Sequence, residues 1–234
     1  MTATVGDVPG NLSTAAGETG DAARGGPTGA DIQTLCDTVL GRLDLSRARR
    51  QLIAISGAPG SGKSTLSGPL AAAMSAQGFA TEVVPMDGFH LDNRLLEARG
   101  LLERKGAPES FDLDGFARLC RALRSVDRVI YPLFDRARDI AIAGAAEVGP
   151  ECRVAIVEGN YLLLDEPGWR DLAALWDLSL RLVVPVEELA ARLVQRWRDH
   201  GLDQRAAEAR ARGNDLANVA RIDGAPLPSD LIWP

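Results

Sequence analysis

The sequence predicts an α/β fold, a three-layer α/β/α sandwich around a mainly parallel sheet of five or slightly more strands. Two observations predict it. Apolar, strand-like segments alternate with helical ones along most of the chain, and the first strand runs into a glycine-rich loop that opens a helix. Such alternation is typical of parallel βαβ units. In these sheets ligands bind at the carboxyl ends of the strands, so the residues just past each strand are the functional candidates.

Each element is predicted from local apolar spacing. Strands are expected at 51–56, 80–86, 127–132, 152–158, 178–184 and 229–233. Helices are expected at 31–49, 65–77, 91–99, 112–124, 186–199 and 204–220.

The domain organisation follows from composition along the chain. Residues 1–27 are rich in Gly, Ala, Thr and Ser, and we expect a disordered tail there because they cannot bury enough apolar surface to order themselves. We expect residues 28–234 to form one domain, with a helical lid at about 186–220.

Overall composition narrows the function classes. A net charge of −6 over 234 residues argues against general nucleic-acid affinity, which needs a basic face. No apolar run approaches the roughly 18 residues of a membrane span. Cys36, Cys120 and Cys152 match neither a disulfide framework nor a zinc site, which favours buried free thiols in a reducing cytoplasm.

The glycine-rich loop carries the strongest functional signal. It reads Gly57-Ala58-Pro59-Gly60-Ser61-Gly62-Lys63-Ser64, a full G-x-x-x-x-G-K-[ST] phosphate loop, and the nucleotide-binding segment extends to Thr65. Its glycines let backbone N–H groups turn toward an anion, and the helix N-terminus adds partial positive charge. Lys63 would reach the β- and γ-phosphates and Ser64 would bind Mg²⁺. The motif predicts the P-loop NTPase fold with a bound nucleotide.

The second strand ends in Met86-Asp87-Gly88-Phe89-His90. Phosphoryl transfer to a hydroxyl needs a carboxylate that orients the hydroxyl and takes its proton, and Asp87 is the first candidate. Gly88 would let a substrate approach closely. His90 could donate to a substrate oxygen or cap the next helix, and both interpretations stay open.

Two further segments are expected near the γ-phosphate. Glu158 closes an apolar strand, where a carboxylate can hold a Mg²⁺-bound water or polarise the nucleophile. Arg192 and Arg196 lie four residues apart on one face of a predicted helix, with Arg198 nearby, and could clamp the transferring phosphoryl group. The alternative for these arginines is a solvated basic face.

With these motifs the chain resembles the P-loop kinases that include uridine kinase, phosphoribulokinase and bacterial type I pantothenate kinase. Within them it is most similar to the small proteins described as fructose-transport-system kinases or nucleoside/nucleotide kinase family proteins. The resemblance runs from about Leu52 to Trp233. It is carried by Gly57–Ser64, Met86–Asn93, Arg104–Asp112, Tyr131–Asp139 and Val157–Leu163.

The resemblance implies roles for several residues. Asp87 would be the catalytic carboxylate, Ser64 a Mg²⁺ ligand, and Lys105 to Asp112 a loop beside the acceptor with Phe111 as a wall. The remaining acceptor or phosphate contacts would come from His90, Arg136, Arg138, Asn160 and Tyr161. The family pattern also covers Asn214, Asp215 and Asn218 without giving them a role, and a helix cap fits them equally well. No counterpart of the aromatic-rich hairpin of uridine kinase is evident after Asp87.

The sequence therefore predicts a cytoplasmic kinase that uses ATP and Mg²⁺ to phosphorylate a hydroxyl of a sugar, nucleoside or pantothenate-like molecule. Its catalytic residues would be Lys63, Asp87, Glu158 and Arg196, and it would need neither nucleic acid nor membrane. A homodimer is compatible with the resemblance. The alternative is an NTP-hydrolysing switch or chaperone module without a small acceptor. A GTPase switch is disfavoured because the chain has no Asn-Lys pair for reading guanine.

Overall fold

The computed structural model describes residues 26–234, so the predicted disordered tail lies almost entirely outside the described residues. The strands are β1 (Gln51–Gly57), β2 (Thr81–Pro85), β3 (Val129–Asp135), β4 (Ile140–Val148), β5 (Val154–Gly159), β6 (Leu178–Leu182) and β7 (Leu231–Trp233). The helices are α1 (Gly29–Leu40), α2 (Lys63–Ala76), α3 (Asn93–Ala98), α4 (Leu113–Ser125), α5 (Val186–Asp199), α6 (Gln204–Arg210) and α7 (Leu216–Gly224).

A five-stranded sheet forms the centre of the described chain. Its strand order is β2-β5-β1-β6-β7, and every pairing is parallel. Alternate residues of β1 enter different layers: Leu52 packs with Phe116 of α4, whereas Ile53 packs with Leu66 of α2 and residues of α1. This two-sided burial confirms the predicted three-layer sandwich, because a strand covered by helices on both faces is apolar throughout.

The first helix is shorter than predicted. A capping box between Thr28 and Asp31 starts α1, which ends at Leu40 and not near residue 49. Beyond it, the Asp44 carboxylate accepts hydrogen bonds from Ser46 Oγ (2.6 Å) and Arg47 Nε (2.8 Å). Such local side-chain bonds compete with helix continuation, although the predicted apolar face, including Leu43, is buried.

The third predicted strand is not part of the parallel sheet, which corrects the prediction. It forms β3, paired antiparallel with β4, a strand that the sequence analysis missed. Pro132 has no N–H to donate to a ladder, which suits a two-stranded hairpin better than a central strand. A hairpin therefore follows Asp87 in the chain after all, and β3 packs against the turn that carries Asp87.

The predicted helix over 204–220 is divided into three parts. A π-helical turn at Ala211–Asp215 separates α6 from α7, and it buries the consecutive polar residues Asn214 and Asp215. Leu189 and Leu193 of α5 pack with Ala58 of the phosphate loop. The α5–α7 segment thus contacts the phosphate loop directly.

Two composition-based expectations can also be compared with the structure. Cys36, Cys120 and Cys152 are buried and free, as predicted. Among residues 26–234, no helix is both long and apolar enough to cross a bilayer.

Candidate active site

The phosphate loop joins the central strand to α2. Gly60 and Gly62 have φ angles of +79° and +86°, which only glycine adopts without strain, and Gly62 directly precedes α2. The Lys63 ammonium donates to the carbonyl oxygens of Gly57 (2.9 Å) and Ala58 (3.0 Å). The Ser61 hydroxyl is buried and has no hydrogen-bond partner among the described residues. The loop is therefore a glycine-built cradle with an orphaned polar atom inside it.

Glu158 lies next to the phosphate loop because β5 and β1 are neighbours in the sheet. Its two carboxylate oxygens accept hydrogen bonds from Ser64 Oγ (3.0 Å) and Ser67 Oγ (3.2 Å). Burial raises the pKa of Glu158, and the nearby Lys63 opposes that rise. Burial also lowers the pKa of Lys63 to about 8, against the attraction of Glu158 and Asp87. These oppositely charged groups share one desolvated space.

The donor set around Glu158 fits Mg²⁺. Among the described residues no group of three or more His, Cys, Asp or Glu side chains could hold a metal. Mg²⁺ does not need one, since it is usually held by one or two protein oxygens together with substrate phosphates and water. The adjacent Ser64 hydroxyl and Glu158 carboxylate supply two such oxygens.

Asp87 stands on a short 3₁₀ turn (Met86–Phe89) directly after β2. Its Oδ2 atom pairs with Arg136 Nη2 from the β3–β4 hairpin at 2.6 Å. Burial raises the pKa of Asp87, but the charges of Arg136, Lys63 and Arg196 outweigh burial and hold this pKa below its usual range. The group is therefore an ionised carboxylate surrounded by cations.

Gly88 was expected to let a substrate approach closely, but the space beside it is occupied by the β3–β4 hairpin. A Cβ atom at this position would lie 2.1 Å from the carbonyl oxygen of Pro132 and 2.6 Å from its carbon. Glycine is thus needed for close approach of the hairpin backbone, and not to leave room for a substrate. This contact brings Arg136 within reach of Asp87.

His90 is enclosed by aromatic rings. It stacks on Phe111 (centroids 4.0 Å apart) and contacts Phe134 (4.8 Å). Burial lowers the pKa of His90 to about 4, against the attraction of Asp87. Its Nδ1 atom is buried and has no hydrogen-bond partner among the described residues. His90 is therefore a neutral ring with an unused polar atom, and it does not cap α3, whose N-cap is Asp92.

Lys105 is largely buried and fully engaged. Its ammonium binds Asn93 Oδ1 (2.7 Å) and the Asp139 carboxylate (2.8 Å), and it lies 5.1 Å from the centre of the Phe134 ring. The 102–112 segment also contacts the core: the Tyr161 hydroxyl donates to the Gly106 carbonyl oxygen. The loop predicted beside the acceptor is thus tied to the hairpin and to the core.

Two of the three arginines of α5, Arg192 and Arg196, face the phosphate loop and the Asp87 turn. Arg192 donates from Nη1 to the Gly60 carbonyl oxygen (3.1 Å) and from Nη2 to Glu188 (2.6 Å). Burial lowers the pKa of Arg196, while the negative charges of Asp215 and Asp87 oppose this. Arg198 bonds to Gln195 on the exposed side of the helix. The structure thus brings Arg192 and Arg196, and not Arg198, to the candidate site.

Three other predicted site residues have different surroundings. Arg138 is exposed and pairs with Asp135 of its own hairpin (2.7 Å). Tyr161 is completely buried against Phe111 and Trp169, which supports a core role and not a direct acceptor contact. Asn160 is partly buried, and its backbone oxygen accepts from the Ser56 hydroxyl at 3.3 Å.

Sequence reasoning missed several residues that complete the site. Asn93, Phe134 and Asp139 surround Lys105 and His90, and Ser67 binds Glu158. The first three lie inside the family motifs, so the motifs contained the signal, but motif position does not say which side chains meet. Ser67 follows Lys63 by one helical turn, a spacing that could have indicated it.

Comparison with known proteins gives consistent matches. No protein-family model matches the chain. A Schizosaccharomyces pombe protein named putative uridine kinase is 37% identical over 202 residues, which cover 80% of this chain and 84% of that protein. A crystal structure from Silicibacter sp. TM1040, named putative fructose transport system kinase, is 73% identical with a TM-score of 0.86, covering 87% of this chain and 98% of that one. YFH7 from Saccharomyces cerevisiae, 21% identical with a TM-score of 0.74 over 86% of this chain and 98% of its own, shares the fold.

The chain belongs to the uridine kinase/phosphoribulokinase type of P-loop kinases. The resemblance inferred from the motifs and the predicted fold class are both confirmed. The chain is accordingly a phosphotransferase of the class that acts on alcohol groups.

Proposed function

We propose that this protein transfers the γ-phosphoryl group of ATP, with Mg²⁺, to a hydroxyl of a sugar, nucleoside or pantothenate-like molecule in the cytoplasm. The observation that carries the proposal is the presence of two separate carboxylates beside the phosphate loop. Glu158 bonds to Ser64 and Ser67, whereas Asp87 pairs with Arg136. One carboxylate is available for the metal and the other for an acceptor.

The nucleotide side of the proposal depends on the phosphate loop. Its backbone amides and the Lys63 ammonium would bind the phosphates, replacing the carbonyl contacts that Lys63 makes with Gly57 and Ala58. Ser64 and Glu158 would hold Mg²⁺, which when bound neutralises negative charge on the phosphates. Arg192 and Arg196 on the proposed lid would stabilise the charge that develops on the transferring group.

The acceptor side depends on Asp87. An ionised carboxylate on a short turn can accept a hydrogen bond from an incoming hydroxyl, orient its oxygen toward the γ-phosphorus and take its proton as the new P–O bond forms. Because its pKa is low, Asp87 acts mainly by orienting the hydroxyl until late in the transfer. His90, Lys105, Phe111 and Arg136 would form the wall that selects the acceptor.

The test is an ADP-release screen with purified protein, ATP and Mg²⁺ against a panel of candidate acceptors. The panel contains fructose and other sugars, glycerate, pantothenate, ribulose 5-phosphate, uridine and other nucleosides. We expect one acceptor to stimulate ADP release strongly in the wild type and not in Asp87→Asn. Equal ADP release with and without every acceptor would overturn the proposal and favour the switch or chaperone alternative, for which no observation in the described residues speaks.

A further inference from the structure

The π-helical turn at Ala211–Asp215 contacts both halves of the candidate site. Asn214 and Asp215 are consecutive residues, exposed by only 4% and 7%. Their side chains bind different partners: Asn214 holds the 102–112 segment, and Asp215 holds the end of α5. One turn of backbone thus lies between the acceptor loop and the arginine that faces Asp87.

Asn214 uses both ends of its amide. Its Nδ2 donates to the Lys105 carbonyl oxygen (2.7 Å), and its Oδ1 accepts from Arg104 Nη1 (2.9 Å). Asn218, one turn further along, accepts from the same guanidinium at 3.4 Å. Of these two asparagines, Asn214 is the one that bonds to the backbone of the segment, directly beside Gly106, which has a φ of +97°.

Asp215 holds the other side. Its Oδ2 accepts from Trp197 Nε1 (2.6 Å) and pairs with Arg196 Nη2 (3.3 Å). The Arg196 guanidinium also lies 5.4 Å from the centre of the Trp197 ring. The carboxylate thus contacts both the indole and the guanidinium, and the Arg210 guanidinium also lies 5.1 Å from the centre of the Trp197 ring. The direction of Arg196 therefore depends on where Asp215 stands.

We propose that this π turn positions the phosphoryl-binding arginine relative to the acceptor loop, with Asp215 as the positioning residue for Arg196 and Asn214 for the Lys105 backbone. A movement of residues 104–106 is passed through Asn214 to Asp215 and then to Arg196. The inference rests on the proposed function in one respect, namely that Arg196 faces the γ-phosphate. A π turn suits this role because its extra residue lets two consecutive side chains take up buried positions, and such turns are frequent at functional sites.

The positioning of Arg196 by Asp215 is tested by nucleotide binding, which requires no acceptor. Calorimetry would compare Mg²⁺ complexes of ADP and of the non-hydrolysable ATP analogue AMPPNP. Asp215→Asn keeps the size of the side chain and an oxygen for Trp197, but removes the charge that holds Arg196. We expect AMPPNP affinity to fall about tenfold and ADP affinity to change less than about twofold, since one oriented charge-assisted hydrogen bond is lost.

Two comparisons make this result specific. In a double-mutant cycle, adding Asp215→Asn to Arg196→Ala should cause no further loss, because the two residues act as one unit. Asp203→Asn, the same chemical change at the N-cap of α6, should change neither affinity. Equal losses for ADP and AMPPNP, or full additivity with Arg196→Ala, would overturn the proposal. These nucleotide affinities can be measured even if no acceptor stimulates ADP release. A failure of this inference can therefore be told apart from a failure of the proposed function.

The positioning of the Lys105 backbone by Asn214 is tested by amide hydrogen exchange at residues 102–112. In the wild type we expect AMPPNP to slow exchange in this segment, although the nucleotide binds at the phosphate loop. Asn214→Ala should abolish this effect. Asn218→Ala removes a contact to the same Arg104 side chain but none to the Lys105 backbone, and should preserve it. Nucleotide-dependent protection that survives in Asn214→Ala would show that the turn does not couple the two sides.

Discussion

Charged groups withdrawn from water lie both where the parallel strands begin, here called the amino edge, and where they end, the carboxyl edge. The pairing of these groups differs between the two. At the amino edge, Arg50 precedes β1 and Asp177 precedes β6, and every polar atom of their charged groups has a partner. At the carboxyl edge, Lys63, Glu158 and His90 have pKa values displaced by burial. The same sheet thus has one edge where hydrogen bonds outweigh the effect of burial, the satisfied edge, and one where the partners of Lys63 and Glu158 do not outweigh it, the unsatisfied edge.

Arg50 illustrates the satisfied edge. It is 7% exposed, and its five N–H groups all donate to backbone carbonyl oxygens. The acceptors are Cys152 (3.1 Å), Leu123 (2.8 Å), Val126 (3.2 Å), Asp127 (2.8 Å) and Gly149 (2.8 Å). Two of these carbonyls belong to the carboxyl end of α4, where the helix dipole favours a cation.

Asp177 is the anionic counterpart. It receives hydrogen bonds from Arg49 (2.6 Å) and from the Leu52 amide (2.9 Å), and Arg124 lies 3.4 Å away. Burial raises the pKa of Asp177, but these donors outweigh burial and leave it below its usual range. The comparison teaches that buried charge serves stability where it is fully paired. Charge whose partners do not outweigh burial is the kind retained for binding and chemistry.

The largest effect should come from breaking the satisfied edge. Arg50→Met would leave five carbonyl oxygens without their donor, and we expect a loss of about 3–5 kcal/mol in the free energy of unfolding. Arg49→Met, the same change one residue away, should cost only about 1–2 kcal/mol because Asp177 keeps its other donors. Denaturant titration measures both. Equal losses for the two variants would contradict the comparison.

The next largest effect is expected at the unsatisfied edge and should concern activity instead. Asp87→Asn removes the carboxylate that orients the acceptor, and turnover should fall at least ~100-fold with ATP binding largely intact. Steady-state kinetics and calorimetry would measure the two quantities. Asp223→Asn, which only removes an exposed pair with Arg181, should turn over normally. Normal turnover in Asp87→Asn would remove it from the mechanism.

A third test uses pH. The pKa of His90 is lowered to about 4 in the folded protein, whereas an unfolded histidine titrates near 6.5. The unfolded state therefore binds more protons between these two pH values. The contribution of His90 to the free energy of unfolding is thus complete above pH 6.5 and is lost as the pH falls toward 4. The loss is on the order of 2–3 kcal/mol. His90→Asn cannot titrate, so its stability should fall less over this range. Parallel stability curves for the two proteins would argue against a buried neutral ring.

The smallest expected effect concerns Lys63. Its pKa of about 8 means that the ammonium loses its proton as the pH rises above this value, and only the charged form attracts phosphate. ATP affinity should therefore fall by up to about tenfold per pH unit above pH 8. Lys63→Arg should bind more weakly overall but show a flat profile, since arginine stays protonated. A flat wild-type profile would show that Lys63 is not desolvated in the free protein.

The site itself was only partly predictable. The phosphate loop, Asp87 and Glu158 could be identified because each stands at the end of an apolar strand, where local sequence and general sheet geometry suffice. The surroundings of Lys105 could not, since Asn93 comes from one segment and Phe134 and Asp139 come from another. Gly88 shows the same limit: a glycine is visible in the sequence, but not the Pro132 carbonyl that requires it.

The sequence by itself determined the fold class, the kinase family and the phosphate loop, because apolar periodicity and motif spacing are local properties of the chain. The tertiary structure decided that Val129–Asp135 joins a hairpin and not the parallel sheet. It also decided that Asn214 and Asp215 meet Lys105 and Arg196. Such pairings depend on which distant segments pack together, and the free energy of that packing is not encoded in the local pattern of any one segment.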